Sequence, residues 1–155
     1  MASNLKVIIN NPQTKIKIPS GTRMLVRRSC HAALEYENYL AQAEVQVVFA
    51  DNEMLHQYDD KRISNFEASE VIALPSEDKG ILGTIIISVE RITELAKIYD
   101  RSFEMGVVYS AVHGVLGLLG QSYTDQQSKE ELMYKEAHIL TELGYAPTAG
   151  FLDIY

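Results

Sequence analysis

The residues best suited to chemistry lie in Ala111-Val112-His113-Gly114-Val115-Leu116-Gly117-Leu118-Leu119-Gly120-Gln121-Ser122-Tyr123. The stretch reads as the end of a helix that carries a histidine and is closed by a glycine. Such a helix holds a metal ion well when further donors stand at positions 117 and 123, because residues four apart on a helix share a face. Those positions are Gly117 and Tyr123. Glycine offers nothing to coordinate, and a phenol with an ordinary pKa of about 10 is a poor zinc donor at neutral pH. A zinc site takes three or four protein ligands. Asp125 is a better donor just beyond Tyr123, so His113, Asp125 and water make a conceivable set, weak beside three preset imidazoles. Gly114, Gly117 and Gly120 form a smooth stripe at three-residue spacing. Close packing explains Gly114 and helix termination explains Gly120, whereas the sequence offers no packing reason for Gly117; Tyr123 is expected to fold into the space it leaves.

His31, His56 and His138 fall on three separate expected helices, and no spacing links them to His113. Cys30 has no partner motif and reads as a small core residue. The formal net charge of −7 argues against wholesale wrapping of nucleic acid, DNA included. A local basic groove is compatible with it. Lys15 and Lys17 lie in one segment, Arg23, Arg27 and Arg28 on the first helix, and Lys61 and Arg62 after the second. If they converge they hold a phosphate backbone; if not, they solvate the surface.

Positioning these residues requires a core, and 155 residues that are 46% hydrophobic suffice for one domain. The longest mostly apolar stretch, Met105 to Leu119, is too short to span a bilayer and is broken by His113, so no membrane partner is expected. The first residues carry no basic-then-apolar signal, and a lone Cys30 fits a reducing cytoplasm. Strands are expected at 5–10, 44–49, 71–74 and 81–89, with the last two joined as an antiparallel hairpin through Ser76-Glu77-Asp78-Lys79-Gly80. Helices are expected at 21–40, 53–62, 90–98, 102–119 and 128–143, the last with a Ser128/Glu131 capping box and a Gly144 stop. This order implies an α/β (α+β) domain: a mixed four-stranded sheet with about five helices packed against it. Residues 1–144 form the domain and 145–155 a loosely held tail.

Several segments resemble the YbeY family of bacterial rRNA maturation factors, metal-dependent endoribonucleases. They are Phe49-Ala50-Asp51-Asn52-Glu53, Val71-Ile72-Ala73-Leu74-Pro75, Leu82-Gly83-Thr84-Ile85-Ile86-Ile87-Ser88, Ser102-Phe103-Glu104, Val112-His113-Gly114-Val115-Leu116 and Met133…Glu136…Ile139-Leu140. The match runs without gaps from about residue 43 to 144. The family signature is His-Gly-x-Leu-His-Leu-x-Gly-Tyr-Asp-His, whose histidines bind one metal ion, taken as zinc. His113 falls on the first ligand position, Gly117 on the second and Tyr123 on the third, while Gln121-Ser122 replaces Tyr-Asp. The family's Thr-Asp before the third strand is Ser69-Glu70, its following Ser and Phe are Ala73 and Leu74, and the Asp of its Leu-Gly-Asp is Thr84. The arginine implicated in catalysis lands on Ile63, with Arg62 one place earlier.

The resemblance makes Arg62, Glu70 and His113 the candidate catalytic residues, with Glu104 a further cleft carboxylate. The plainer readings are a strand-edge charge for Glu70, a first-turn helix carboxylate for Glu104, and a hydrogen-bonded helix histidine for His113. Arg27, Arg28, Lys61 and Arg62 are the candidate RNA contacts. The leading expectation is a divergent YbeY-like protein in rRNA maturation and ribosome biogenesis. It would bind single-stranded RNA or a partner on the small ribosomal subunit, with a degraded hydrolase site and no cofactor. The alternative is a single-strand-specific endoribonuclease using zinc through an altered ligand set around His113. Metal-free cleavage would need a histidine pair or another acid–base arrangement. A third reading is an altered copy that keeps the fold with no function selected.

Overall fold

Apolar residues at 43, 45, 47 and 49, alternating with Glu44, Gln46 and Val48, make Ala43–Ala50 a strand whose odd positions are buried, and β-branched residues build three other strands. The computed structural model describes residues 4–58, 70–121 and 125–145. In chain order the elements are β1 (Leu5–Asn10), α1 (Thr22–Tyr36), β2 (Ala43–Ala50), α2 (Asn52–His56), β3 (Val71–Pro75), β4 (Ile81–Ser88), α3 (Val89–Ile98), α4 (Phe103–Leu118) and α5 (Gln126–Glu142). The sheet order is β1-β2-β4-β3. β1, β2 and β4 run parallel, and β3 pairs antiparallel with β4, Val71 opposite Ile87 and Pro75 opposite Gly83. This is the mixed four-stranded sheet with five helices that the sequence implies, in one domain.

One face of the sheet carries the main core: Val45, Val47, Phe49, Ile85 and Ile87 join residues of α1, α3, α4 and α5. The other face holds a small cluster of Ala50, Leu55, Ile72 and Ile86 beneath α2. α4 is apolar nearly all round, and 12 of its 16 residues are buried, as befits a helix enclosed by the rest of the molecule. Gly114 lets it approach the sheet: a β-carbon there would stand 2.6 Å from Ile85 Cγ2.

Boundaries differ from expectation where local chemistry intervenes. α1 ends at Tyr36 rather than 40, because Asn38 takes a left-handed φ of 55° and Tyr39 N–H turns back to Leu34 C=O at 2.9 Å. α2 stops at His56, and the rest of the expected 53–62 helix lies mostly outside the described residues. The capping box of α5 is Asp125/Ser128, not Ser128/Glu131: the Asp125 carboxylate accepts from Ser128 N–H at 2.8 Å, and the Ser128 hydroxyl faces Asp125 N–H at 3.3 Å. Tyr145, expected in a loose tail, is tied down: its N–H donates to Leu140 C=O at 2.8 Å and its hydroxyl to Glu104 at 3.2 Å. Residues 146–155 lie outside the described residues. No helix among the described residues is long and apolar enough to cross a membrane.

Candidate functional site

The last turns of α4 present His113 to the middle of α5. Its Nδ1 lies 2.5 Å from Glu136 Oε2, and Tyr109 Oη lies 3.2 Å from the same nitrogen. The Tyr109 and His113 rings stack with centroids 5.4 Å apart at 27°. Only 1% of the Glu136 side chain and 11% of His113 is exposed, so the contact is charge-assisted and shielded from water. It orients the ring through Nδ1. The plainer reading of His113 as a hydrogen-bonded helix histidine fits, with the Glu136 carboxylate and the Tyr109 hydroxyl as its partners. Sequence reasoning quoted Glu136 without giving it a role. The signal was present: it is the one acid in the apolar stripe Leu132, Met133, Glu136, Ile139, Leu140, all buried.

One turn beyond His113, Gly117 faces the edge strand. A β-carbon at Gly117 would meet the Ala73 β-carbon at 2.9 Å, closer than two such atoms sit. Gly117 therefore has a packing reason that the sequence did not reveal: α4 rests on β3 there. Ala73 neighbours Leu74, and Leu74 pairs across the sheet with Thr84. Gly117 and Ala73 thus meet on the main-core face of the sheet, while Leu74 joins the cluster on the other face. Tyr123, which the resemblance puts at the third ligand position, lies outside the described residues, as do Lys61, Arg62 and Ile63. Asp125 caps α5 from an exposed position, and hydrogen bonds from Ser128 backbone and side chain lower its pKa. Among the described residues no three His, Cys, Asp or Glu side chains come together as a metal ligand group.

The other candidates separate. Glu70 is fully buried, with Oε2 3.2 Å from Arg101 Nη2, so it is neither a cleft carboxylate open to solvent nor a strand-edge charge. Arg101, which sequence reasoning missed, joins the start of β3 to the turn before α4. Glu104 is an exposed first-turn carboxylate receiving the Tyr145 hydroxyl. Burial pushes the Cys30 thiol up to about 12, which leaves it protonated and unreactive. His138 pairs with Glu142 at 3.1 Å and touches the Tyr36 ring, centroids 5.4 Å apart. His56 closes α2.

Nor do all the cations converge. Lys15 reaches Glu90 at 3.6 Å and Asp51 at 4.0 Å, and Arg23 lies over the Phe49 ring at 6.0 Å. Arg27 and Arg28 do share a place: with His31 they line a groove of about 810 Å3 between α1 and the end of α5. Beside it, Lys135 bridges Glu37 and Gln121, 2.7 Å from each, tying the end of α1 to the end of α4.

Comparison with known proteins accounts for this architecture. The family model described as "Endoribonuclease YbeY" matches residues 8–144. The Endoribonuclease YbeY of Caldanaerobacter subterraneus subsp. tengcongensis is 31% identical over 156 aligned positions, covering 90% of this chain and 98% of its own length. That of Bacillus subtilis is 32% identical, over 72% of this chain and 80% of its own. The solution structure of TM1509 from Thermotoga maritima superposes with a TM-score of 0.54 at 14% identity, covering 89% of this chain and 91% of that one, which is a likeness of fold. The chain belongs to the YbeY endoribonuclease family.

Proposed function

We propose that the chain serves ribosome maturation in the cytoplasm as a YbeY-type protein that binds single-stranded RNA and no longer hydrolyses it through zinc. One observation carries this reading: the second ligand position is a glycine on which β3 is packed. The donor chemistry does not suit the metal of the family. One imidazole is present where three are needed, Gly117 supplies no lone pair, and the Asp125 carboxylate is engaged in capping α5. No catalytic step through a metal is therefore assigned, and no cofactor is expected. Arg62 and Glu70 are then assigned no catalytic role, Glu70 being buried against Arg101, and His113 remains as an oriented hydrogen-bonding side chain. The retained fold and the family's work on rRNA support an RNA partner.

The test is metal content by mass spectrometry after dialysis without chelator, run beside a cleavage assay on single-stranded RNA. The expected result is a folded protein with far less than one zinc per chain and no cleavage. One zinc per chain that disappears in His113→Ala, together with cleavage, overturns the reading. It would restore the alternative, a zinc-dependent endoribonuclease whose ligands include His113 and, first among substitutes, Asp125 or Tyr123. The Glu136–His113 contact is the feature favouring that alternative, since carboxylates commonly orient metal-bound histidines.

A further inference from the structure

We propose that the groove between the outer face of α1 and the end of α5 is where this chain holds single-stranded RNA, an assignment that rests on the RNA-binding reading above. The groove is built on one stripe of α1. Met24, Arg27, Arg28, His31 and Tyr36 follow one another at helical spacing, and Leu40 closes the far end. Arg27 and Arg28 are exposed, and neither is in an ion pair among the described residues. Lys15, Arg101 and Lys135 are each paired with a carboxylate. In a chain of net charge −7, two adjacent unmatched guanidinium groups ask for an anionic occupant. Their planar forks suit phosphate.

The occupant must also cover apolar surface. Of the six large hydrophobic side chains exposed among the described residues, Met24 (67%), Tyr36 (38%) and Leu40 (68%) line this one groove. Unpaired bases offer flat faces to such side chains, whereas a duplex hides them. Glu35 and Glu142 also line the groove, the latter paired with His138, and they limit the phosphates it accepts to those beside Arg27 and Arg28. Two contacts on a single strand give a shallow salt dependence, a log–log slope of about −1.4.

The groove is separate from His113. Positions 136 and 138 of α5 point about 200° apart. Glu136 faces His113, and His138 faces Tyr36 in the groove wall. The strand is therefore held on the side of α5 away from the former metal position, and binding does not depend on His113.

Fluorescence anisotropy with a labelled oligouridine, and with an RNA duplex of equal length, tests the assignment on the full chain. The single strand is expected to bind more tightly than the duplex. Arg27→Glu/Arg28→Glu is expected to weaken it by at least about tenfold and to flatten the salt slope. Lys79→Glu/Lys97→Glu, which changes net charge equally elsewhere, is expected to change it little. Should the double reversal fail to fold, Arg27→Gln/Arg28→Gln serves, with a flattened slope as its readout. Binding by the wild type that the arginine variants and the lysine control weaken alike overturns the groove and leaves the RNA reading in place. No binding by the wild type overturns both.

Discussion

On α5, Glu136 and His138 lie two residues apart and meet opposite circumstances. Glu136 is buried and spends its carboxylate on His113; His138 is exposed, loosely paired with Glu142, and borders a groove with two unmatched arginines. Inside, the buried carboxylates among the described residues, Asp51, Glu70 and Glu136, each have a partner, because an unpaired buried charge costs several kcal/mol. Outside, water tolerates unmatched charge, so an excess there is available for recognition. The inner side thus answers to stability, and the outer side is where the proposed RNA strand would lie.

The comparison breaks first at His113. His113→Ala leaves Glu136 buried without its partner and is expected to lower unfolding free energy by about 3 kcal/mol in urea titration. His113→Leu/Glu136→Leu, which removes both polar partners, should recover most of that; equal losses would show that packing rather than the hydrogen-bonded pairing holds the contact. Cys30 sharpens the same point with a group that has no partner. Its thiol stays protonated to about 12 in the folded chain against 9.0 for the ordinary group. A raised value gives stability that is whole below pH 9.0 and is lost as pH climbs toward about 12. In Cys30→Ala the alkaline decline should be shallower by about 1.4 kcal/mol per pH unit.

Gly117→Ala tests the contact with Ala73. Helix propensity favours alanine by about 1 kcal/mol, but overpacking against a backbone-fixed β-carbon costs about 1–3 kcal/mol. A net loss of about 1 kcal/mol is expected, reversed when Ala73→Gly is added; a gain in the single variant would mean that α4 does not rest on β3. Acid effects are smaller. Asp125 is held below the ordinary carboxylate value by Ser128. For Glu37 burial pushes upward, but hydrogen bonds from Lys135 and Gln121 and the Lys135 charge bring the net value down. A lowered value gives stability that is whole above the unfolded carboxylate pKa and is lost as pH falls through the folded one. Asp125→Asn and Glu37→Gln should flatten the acid limb and leave the alkaline limb alone. Smallest of all, Arg27→Ala and Arg28→Ala should shift stability by less than about 0.5 kcal/mol while weakening RNA, the signature of an outer surface.

The elements were legible because their periodicities are local. β-branched residues marked the strands and a five-residue polar turn marked the hairpin, whereas the Ser88 and Ser102 caps were not read from the sequence. Errors arose where two local signals competed, as when Ser128/Glu131 imitated the capping box that Asp125/Ser128 forms. The site was less legible, since its decisive contacts are long-range. Nothing near Gly117 announces Ala73, 44 positions earlier in the sequence, and nothing near Glu70 announces Arg101. Glu136 shows the middle case: a lone acid in an apolar stripe signals a buried partner without saying which.

The strand order carries a consequence for how the chain assembles. β3 and β4 are neighbours in sequence and meet through a short turn, so they can pair on the microsecond scale of an isolated hairpin. β4 must also meet β2 in parallel, across a segment that holds α2 and β3 and closes only at an entropic cost, and α4 can seat Gly114 against Ile85 only once β4 is in place. Refolding should therefore be paced by the arrival of β4 at β2. Changes in the 76–80 turn would then alter the rate little, while changes along the Val45–Ala50 seam would slow it.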